Sequence, residues 1–205
     1  NELINDMSAK KKLIEIAGSP FTGILVTGIA AKNQELKALL GMKNGFFAFE
    51  SALRVFPAGD SSRSYSLDEW NSSGLWRNNY GKLALDLLFF AEDIFGTQFC
   101  LKDERVYSFD PETADLTLIG NNLEDWAQAI LDDYNLLTGY SLAHEWQVAN
   151  RELTPRERLM PKLPFVCGGE FALDNLIAID AARSMRSRGN LANQIHTLEI
   201  GRAHV

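Results

Sequence analysis

Apolar residues follow one spacing near both ends of this chain and another in its middle. Toward the ends they recur every three or four residues, as on the buried face of a helix. In the middle they run continuously or alternate in short blocks, as strands do. Leu3, Met7, Leu13 and Ile16 form a rough stripe that predicts a helix over residues 2–17, ended by "GSPFTG". "ILVTGIAA" (24–31) is equally compatible with a strand and with the start of a buried helix. "KNQELKALLG" reads as a helix with Leu36, Leu39 and Leu40 on one face and Gly41 as its stop. "GFFAFESALRVFP" is rich in aromatic and short apolar residues. The polar "PAGDSSRSYS" after it is the clearest loop in the chain and is expected to be a mobile tip.

Beyond "DEWNSSGLWRNNYG" the rhythm shortens. "LALDLLFFA" is almost wholly apolar, as a central strand covered on both faces would be. "TQFCLK", "RVYSF" and "LTLI" follow as short strands. The turn "DPETAD" has Pro111 to preset φ and Asp110 to accept from the backbone after it. Four short strands joined by tight polar turns make an antiparallel meander. "NNLEDWAQAILDDYNLLTG" is then the best helix, with Asn122 as its cap, Asp125 in a position like that of a capping box and Gly139 as its end. Leu123, Trp126, Ile130, Tyr134 and Leu137 line its apolar side. "SLAHEWQVAN" is a second short helix, "LPFVCGG" a buried strand or extended segment, and "NLIAI" a further strand. "DAARSMRSRGNLANQIHTL" predicts two helical segments joined near Gly189. The fold class expected is α+β: a mostly antiparallel sheet packed with flanking helices.

Composition adds limits. With 205 residues, 46% of them apolar and 23% charged, the chain has the profile of one ordinary globular domain. It holds no run of about 18 apolar residues, so no membrane-spanning helix is expected. Nor does the start resemble a secretory signal, and the cytoplasm is the expected compartment. The missing initiator Met suggests that the beginning is incomplete. Cys100 and Cys167 both sit in apolar runs and read as buried, reduced thiols. The net charge of −7 is uneven: residues 1–60 hold 7 Lys or Arg against 6 acids, 61–145 hold 5 against 15, and 146–205 hold 8 against 6. A middle segment of net −10 argues against direct nucleic-acid binding, which needs basic patches, and suits a basic protein partner.

Candidate chemistry is sparse. The three histidines, His144, His196 and His204, form no metal-binding spacing, so no metal and no cofactor are expected. His144 reads as a helix-surface or partly buried residue rather than a ligand. There is no nucleophile elbow and no glycine-rich phosphate loop. "CGGEF" (167–171) could expose backbone donors to a ligand, but reads better as a bulge or a close backbone approach. Glu92 and Asp93, inside "LLFFAEDIFGTQFCL", are the one paired-carboxylate candidate. Adjacent strand residues face opposite ways, so catalysis would need a turn, a pocket and a third group. No catalytic residue is assigned on this basis.

The order of "LLFFAEDIFGTQFCL", "VYSFDPETADL", "LEDWAQAIL", "LMPKLPFVCGGEF" and "NLIAIDAARSMRSRGNLANQI" resembles the SUKH superfamily. These are small α+β proteins related to yeast cell-wall synthesis regulators, and in bacteria many act as immunity proteins for polymorphic toxins. The likeness spans roughly three quarters of the chain, within residues 41–198. Residues 1–40 are left as a helical extension outside it. The last residues, "EIGRAHV" (199–205), depart from the pattern and resemble the translation of a sequencing-adapter read-through, so a non-native tail is expected there. The resemblance implies a non-enzymatic intracellular protein that neutralises a protein toxin, nucleases being common among such toxins. The surface expected to do so comprises Glu124, Asp125, Asp132 and Asp133 on the helix, with Asp110, Glu112 and Asp115 on a nearby turn. Two alternatives are a regulatory or scaffold protein of the same fold and a hydrolase using Glu92 and Asp93.

Overall fold

Each strand of the predicted meander pairs with its neighbour in sequence, and "GFFAFESALRVFP" adds two more at one edge. The computed structural model describes residues 7–203. The resulting sheet runs β1 (Phe46–Ala48), β2 (Leu53–Val55), β3 (Leu88–Glu92), β4 (Gln98–Lys102), β5 (Arg105–Phe109) and β6 (Leu116–Gly120), all antiparallel. Local chemistry makes the turns. Asp103 and Glu104, both with positive φ, form a two-residue link whose twist matches that of β4 and β5. Asp110 Oδ1 accepts from Glu112 N at 2.8 Å, as its position after β5 predicts.

The apolar run of β3 does face both ways. Phe89 packs against Trp76 and Phe109 on one side of the sheet, and Phe90 against Trp126 on the other. The first side is covered by the excursion between β2 and β3, which holds α3 (Leu67–Trp70) and the buried Trp76 and Tyr80. The second side is covered by α4 (Leu123–Asp132), against which α1 (Ala9–Ile16) packs. Leu13 of α1 and Leu36, Leu39 and Leu40 of α2 (Gln34–Met42) belong to the same core. A smaller core of Ala52, Ile94, Phe95, Ala143, Trp146, Leu159 and Leu176 lies beneath α6 (Tyr140–Ala149) and a two-stranded ribbon of β7 (Glu157–Pro161) and β8 (Leu176–Asp180). Helix α7 (Ala181–Ala203) follows the ribbon.

Several predicted elements differ in extent. Ser8 accepts from Lys11 N and so starts α1 at Ala9, leaving Ile16 exposed; Leu3 lies outside the described residues. Residues 24–31 are neither strand nor α-helix but pass into a 3₁₀ turn, Gly28–Lys32, tied to Asp68 through Ile29 N at 3.0 Å. α2 continues through Gly41. The "PAGDSSRSYS" loop is pinned at both ends rather than free: Pro57, Ala58, Ser64, Tyr65 and Ser66 are buried, and the Asn44 side chain bonds both the N–H and the C=O of Ala58. The helix after β6 breaks at Asp133 (φ −144°, ψ 61°), whose side chain then caps α5 (Tyr134–Thr138). Tyr134 is thereby turned outward, while Gly139 (φ 73°) ends α5 as expected. "LPFVCGG" is not a buried strand; it makes a 3₁₀ turn, Phe165–Cys167, and Cys167 is exposed. α7 runs unbroken past Gly189, with Glu199 to Ala203 in its final turns.

Candidate functional site

The end of β3 carries Glu92 into a buried charge cluster. Its Oε1 accepts from Arg54 Nε at 2.9 Å, from Arg54 Nη2 and from Arg158 Nε at 2.8 Å. Its Oε2 accepts from Gln98 Nε2 at 3.0 Å, and Gln98 Oε1 in turn accepts from Trp70 Nε1 at 2.8 Å. Burial alone would push the Glu92 carboxyl up, but Arg54, Arg158 and Gln98 together hold it below the ordinary carboxylate range. Phe47 lies within cation–π reach of both guanidinium groups. One residue on, the chain turns and Asp93 Oδ1 accepts from Phe95 N and Thr97 N, each at 2.8 Å. Burial outweighs these amides and the nearby Arg188, and raises Asp93 to about 7.

The two carboxylates are therefore both sealed from solvent and bonded to different partners, Glu92 to side chains and Asp93 to the turn's own amides. A shared pocket, which a hydrolase using the pair would need, does not open at them. Cys100 is buried and its thiol is pushed up to about 12, as an inert core thiol should be. His144 sits exposed on α6 against Glu50. Among the described residues no three His, Cys, Asp or Glu side chains gather as a metal site requires.

The seven acids expected to form one surface are divided. Glu124 and Asp125 lie beside Gly120 and Asn121, at the opposite end of β6 from the Asp110–Asp115 turn. Glu112 is not at the surface at all. It is buried, and its carboxylate accepts from Phe165 N (3.0 Å) and Val166 N (2.8 Å). Glu124 accepts from Ala9 N and Lys10 N at the start of α1, where a carboxylate offsets the helix dipole. Asp125 accepts from Asn121 N rather than from the cap residue, and Asp133 from Leu136 N. Asp132 accepts from Gln128 Nε2. Asp110, Asp115, Asp125, Asp132 and Asp133 remain exposed.

An exposed apolar surface lies beside the Asp93 turn and was not anticipated from sequence. Phe171 is 65% exposed, yet it stacks on Phe165 at 3.8 Å, and Phe95 meets Phe171 and Phe165 edge-on at 5.5 and 5.7 Å. Leu136 and Val166 stand exposed close by. The signal available in the sequence was three aromatics near turn glycines, in "DIFG" and "PFVCGGEF"; periodicity cannot bring those two segments together.

No known protein family matches the chain, and no curated protein does either. Among solved structures it is similar to Atu4351 from Agrobacterium tumefaciens, at 13% identity and a TM-score of 0.57, with 86% of each chain covered. The likeness is one of fold: an antiparallel meander with flanking helices, of the α+β class.

Proposed function

We propose that the protein is an immunity-type binding protein of the cytoplasm, which neutralises a basic protein toxin, such as a nuclease, by association. The observation that carries this reading is where its charge lies. Among the described residues the buried ionisable side chains are three arginines (Arg54, Arg158, Arg188) and three acids (Glu92, Asp93, Glu112), equal in number. Among the described residues, therefore, the acids in excess of Lys and Arg lie outside the core, available for steering a basic partner. The resemblance to the SUKH superfamily and the α+β meander support the same reading. Among the described residues no helix is long and apolar enough to cross a membrane.

Co-expression with the product of the neighbouring gene tests it. Growth should be rescued, the two proteins should co-purify, and raising the salt several-fold above physiological ionic strength should weaken the complex, as the Debye length shrinks from about 8 Å. The absence of both rescue and co-purification would overturn the toxin reading and favour a scaffold role for the same fold.

A further inference from the structure

Two hollows meet where β3 turns toward β4, and Phe95 and Phe171 line both of them. The larger, about 420 Å³, also has Leu136, Leu142 and Gly139 in its wall. The smaller, about 210 Å³, has Pro111, Phe165 and Val166. The aromatic ridge between them is fixed by its ring contacts and still exposed, the condition of an anchor that gives up little freedom on binding. Gly139, with φ 73°, is what lets α5 end against this ridge: a Cβ there would come within 2.5 Å of Phe95 and 2.6 Å of Ile94.

Charge selects the visitor. The charged residues lining the two hollows are Glu145 in the larger and Asp110, Glu112 and Arg188 in the smaller. Glu112 is spent on the amides of Phe165 and Val166, and Arg188, also buried, on Phe95 O (2.6 Å) and Ser184 Oγ (2.7 Å). The charges left facing outward are Glu145 and Asp110, and Glu170 is exposed next to Phe171 in the chain. A second copy of this chain would bring the same acids to the contact.

We infer that this double hollow is the docking surface for a protein partner, and that it takes a basic segment carrying two apolar side chains, one for each hollow. Lys or Arg of that segment faces Glu145 and Asp110. This rests on the binding-protein reading above and centres its contact surface on the Phe171 ridge, where of the seven acids expected Asp110 still faces outward while those of α4 lie elsewhere.

The test uses a fluorescein-labelled, amidated peptide of leucine and lysine in an amphipathic repeat, with a leucine and glutamate version as control. Fluorescence anisotropy should show saturable binding of the lysine peptide and none of the glutamate one. Phe171→Ser and Leu136→Ser should each weaken binding about tenfold, equivalent to about 1.4 kcal/mol. Leu136 is exposed, so Leu136→Ser should melt like the wild type and keeps the test readable if Phe171→Ser, which loses its ring contacts to Phe165 and Phe95, melts lower. Glu145→Lys and Asp110→Lys should weaken it several-fold, while Glu15→Lys, the same charge change on α1, should leave it unaltered. The inference is overturned if the lysine peptide does not bind, if Phe171→Ser binds it as the wild type does, or if the glutamate peptide binds equally. A wild-type dimer that Phe171→Ser dissociates would also overturn it, in favour of self-association. If the neighbouring gene's product co-purifies equally with Phe171→Ser, the docking surface is wrong while the immunity reading stands. If nothing co-purifies even with the wild type, the immunity reading fails and the peptide still decides the surface.

Discussion

Glu92 and Asp93 are adjacent and fully enclosed, yet protonation affects them in opposite directions. Two guanidinium groups keep Glu92 charged, so the stability it contributes is present above the ordinary carboxylate pKa and is lost as pH falls through its lowered folded value. Asp93 rises from 3.8 to about 7, because burial outweighs the amides of Phe95 and Thr97. Between those values the folded chain keeps a proton that the unfolded chain has released. The Asp93 contribution therefore becomes less favourable as pH climbs from about 4 to 7 and is constant above that. Asn in its place keeps an oxygen for both amides and cannot ionise. We expect Asp93→Asn to be more stable than wild type at pH 8, by up to about 4 kcal/mol at 1.36 kcal/mol per pKa unit, with the gap closing toward pH 4. Urea midpoints of both proteins across that range measure the difference, and subtraction cancels the other titrating groups. A gap that does not change with pH would show that Asp93 stays ionised in the folded protein.

Two glycines separate helix propensity from tertiary fit. Gly41 in α2 has open space where a Cβ would go, so Gly41→Ala should stabilise by up to about 1 kcal/mol, the intrinsic gain of alanine in a helix. Gly189 in α7 passes so close to residues 79 and 80 that a Cβ would meet Asn79 Cβ and Tyr80 at 2.9 Å and the Asn79 backbone at 3.0 Å. There overpacking should exceed the propensity gain, and Gly189→Ala should cost about 1–2 kcal/mol. Thermal melts of the two variants should move in opposite directions. The same contrast explains what the sequence made legible. Strands β3 to β6, the Asn122 cap and the Gly139 stop rest on neighbours in the chain, so pattern and turn chemistry reveal them. Gly189 looked like a helix break because its reason lies more than a hundred residues away. β7 was missed because two of its five residues are charged, and the partners that place them, Arg151 for Glu157 and the distant Glu92 for Arg158, are not visible in a local pattern. The acids of the expected surface suggested binding by composition, whereas Glu112, Glu124 and Asp133 chiefly cap backbone amides. The Phe171 ridge needs two distant segments, the β3–β4 turn and the β7–β8 connection, to meet, which no local pattern encodes.

Across the whole molecule, Glu92 is the joint between two cores. Arg54 comes from β2 of the main sheet and Arg158 from β7 of the smaller ribbon, and a single carboxylate oxygen accepts from both. The backbone adds to the joint, with Leu159 N donating to Ile94 O at 2.9 Å and Ile94 N to Thr138 O at 3.2 Å. Glu92→Gln keeps the shape but leaves two guanidinium groups buried without a countercharge, and removing one partner of a buried ion pair typically costs about 3–5 kcal/mol. Arg158→Met should cost less, because Arg54 and Glu92 then remain as a balanced pair and the stem of residue 158 is still apolar. The position of the joint also predicts where the damage appears. The smaller core holds far fewer buried side chains than the main one, so without the countercharge the β7–β8 ribbon and α6 should open before the sheet does. Hydrogen exchange of Glu92→Gln should thus show lost protection over Glu157–Pro161 and Leu176–Asp180 while β4 and β5 keep theirs. Equal loss across both regions would mean that the two cores unfold as one unit and that the triad adds stability without joining separate parts. A ribbon that opens alone would also carry Phe165 and Phe171 with it, since both lie on the segment between β7 and β8. The proposed docking ridge would then depend on a buried carboxylate that no partner ever touches.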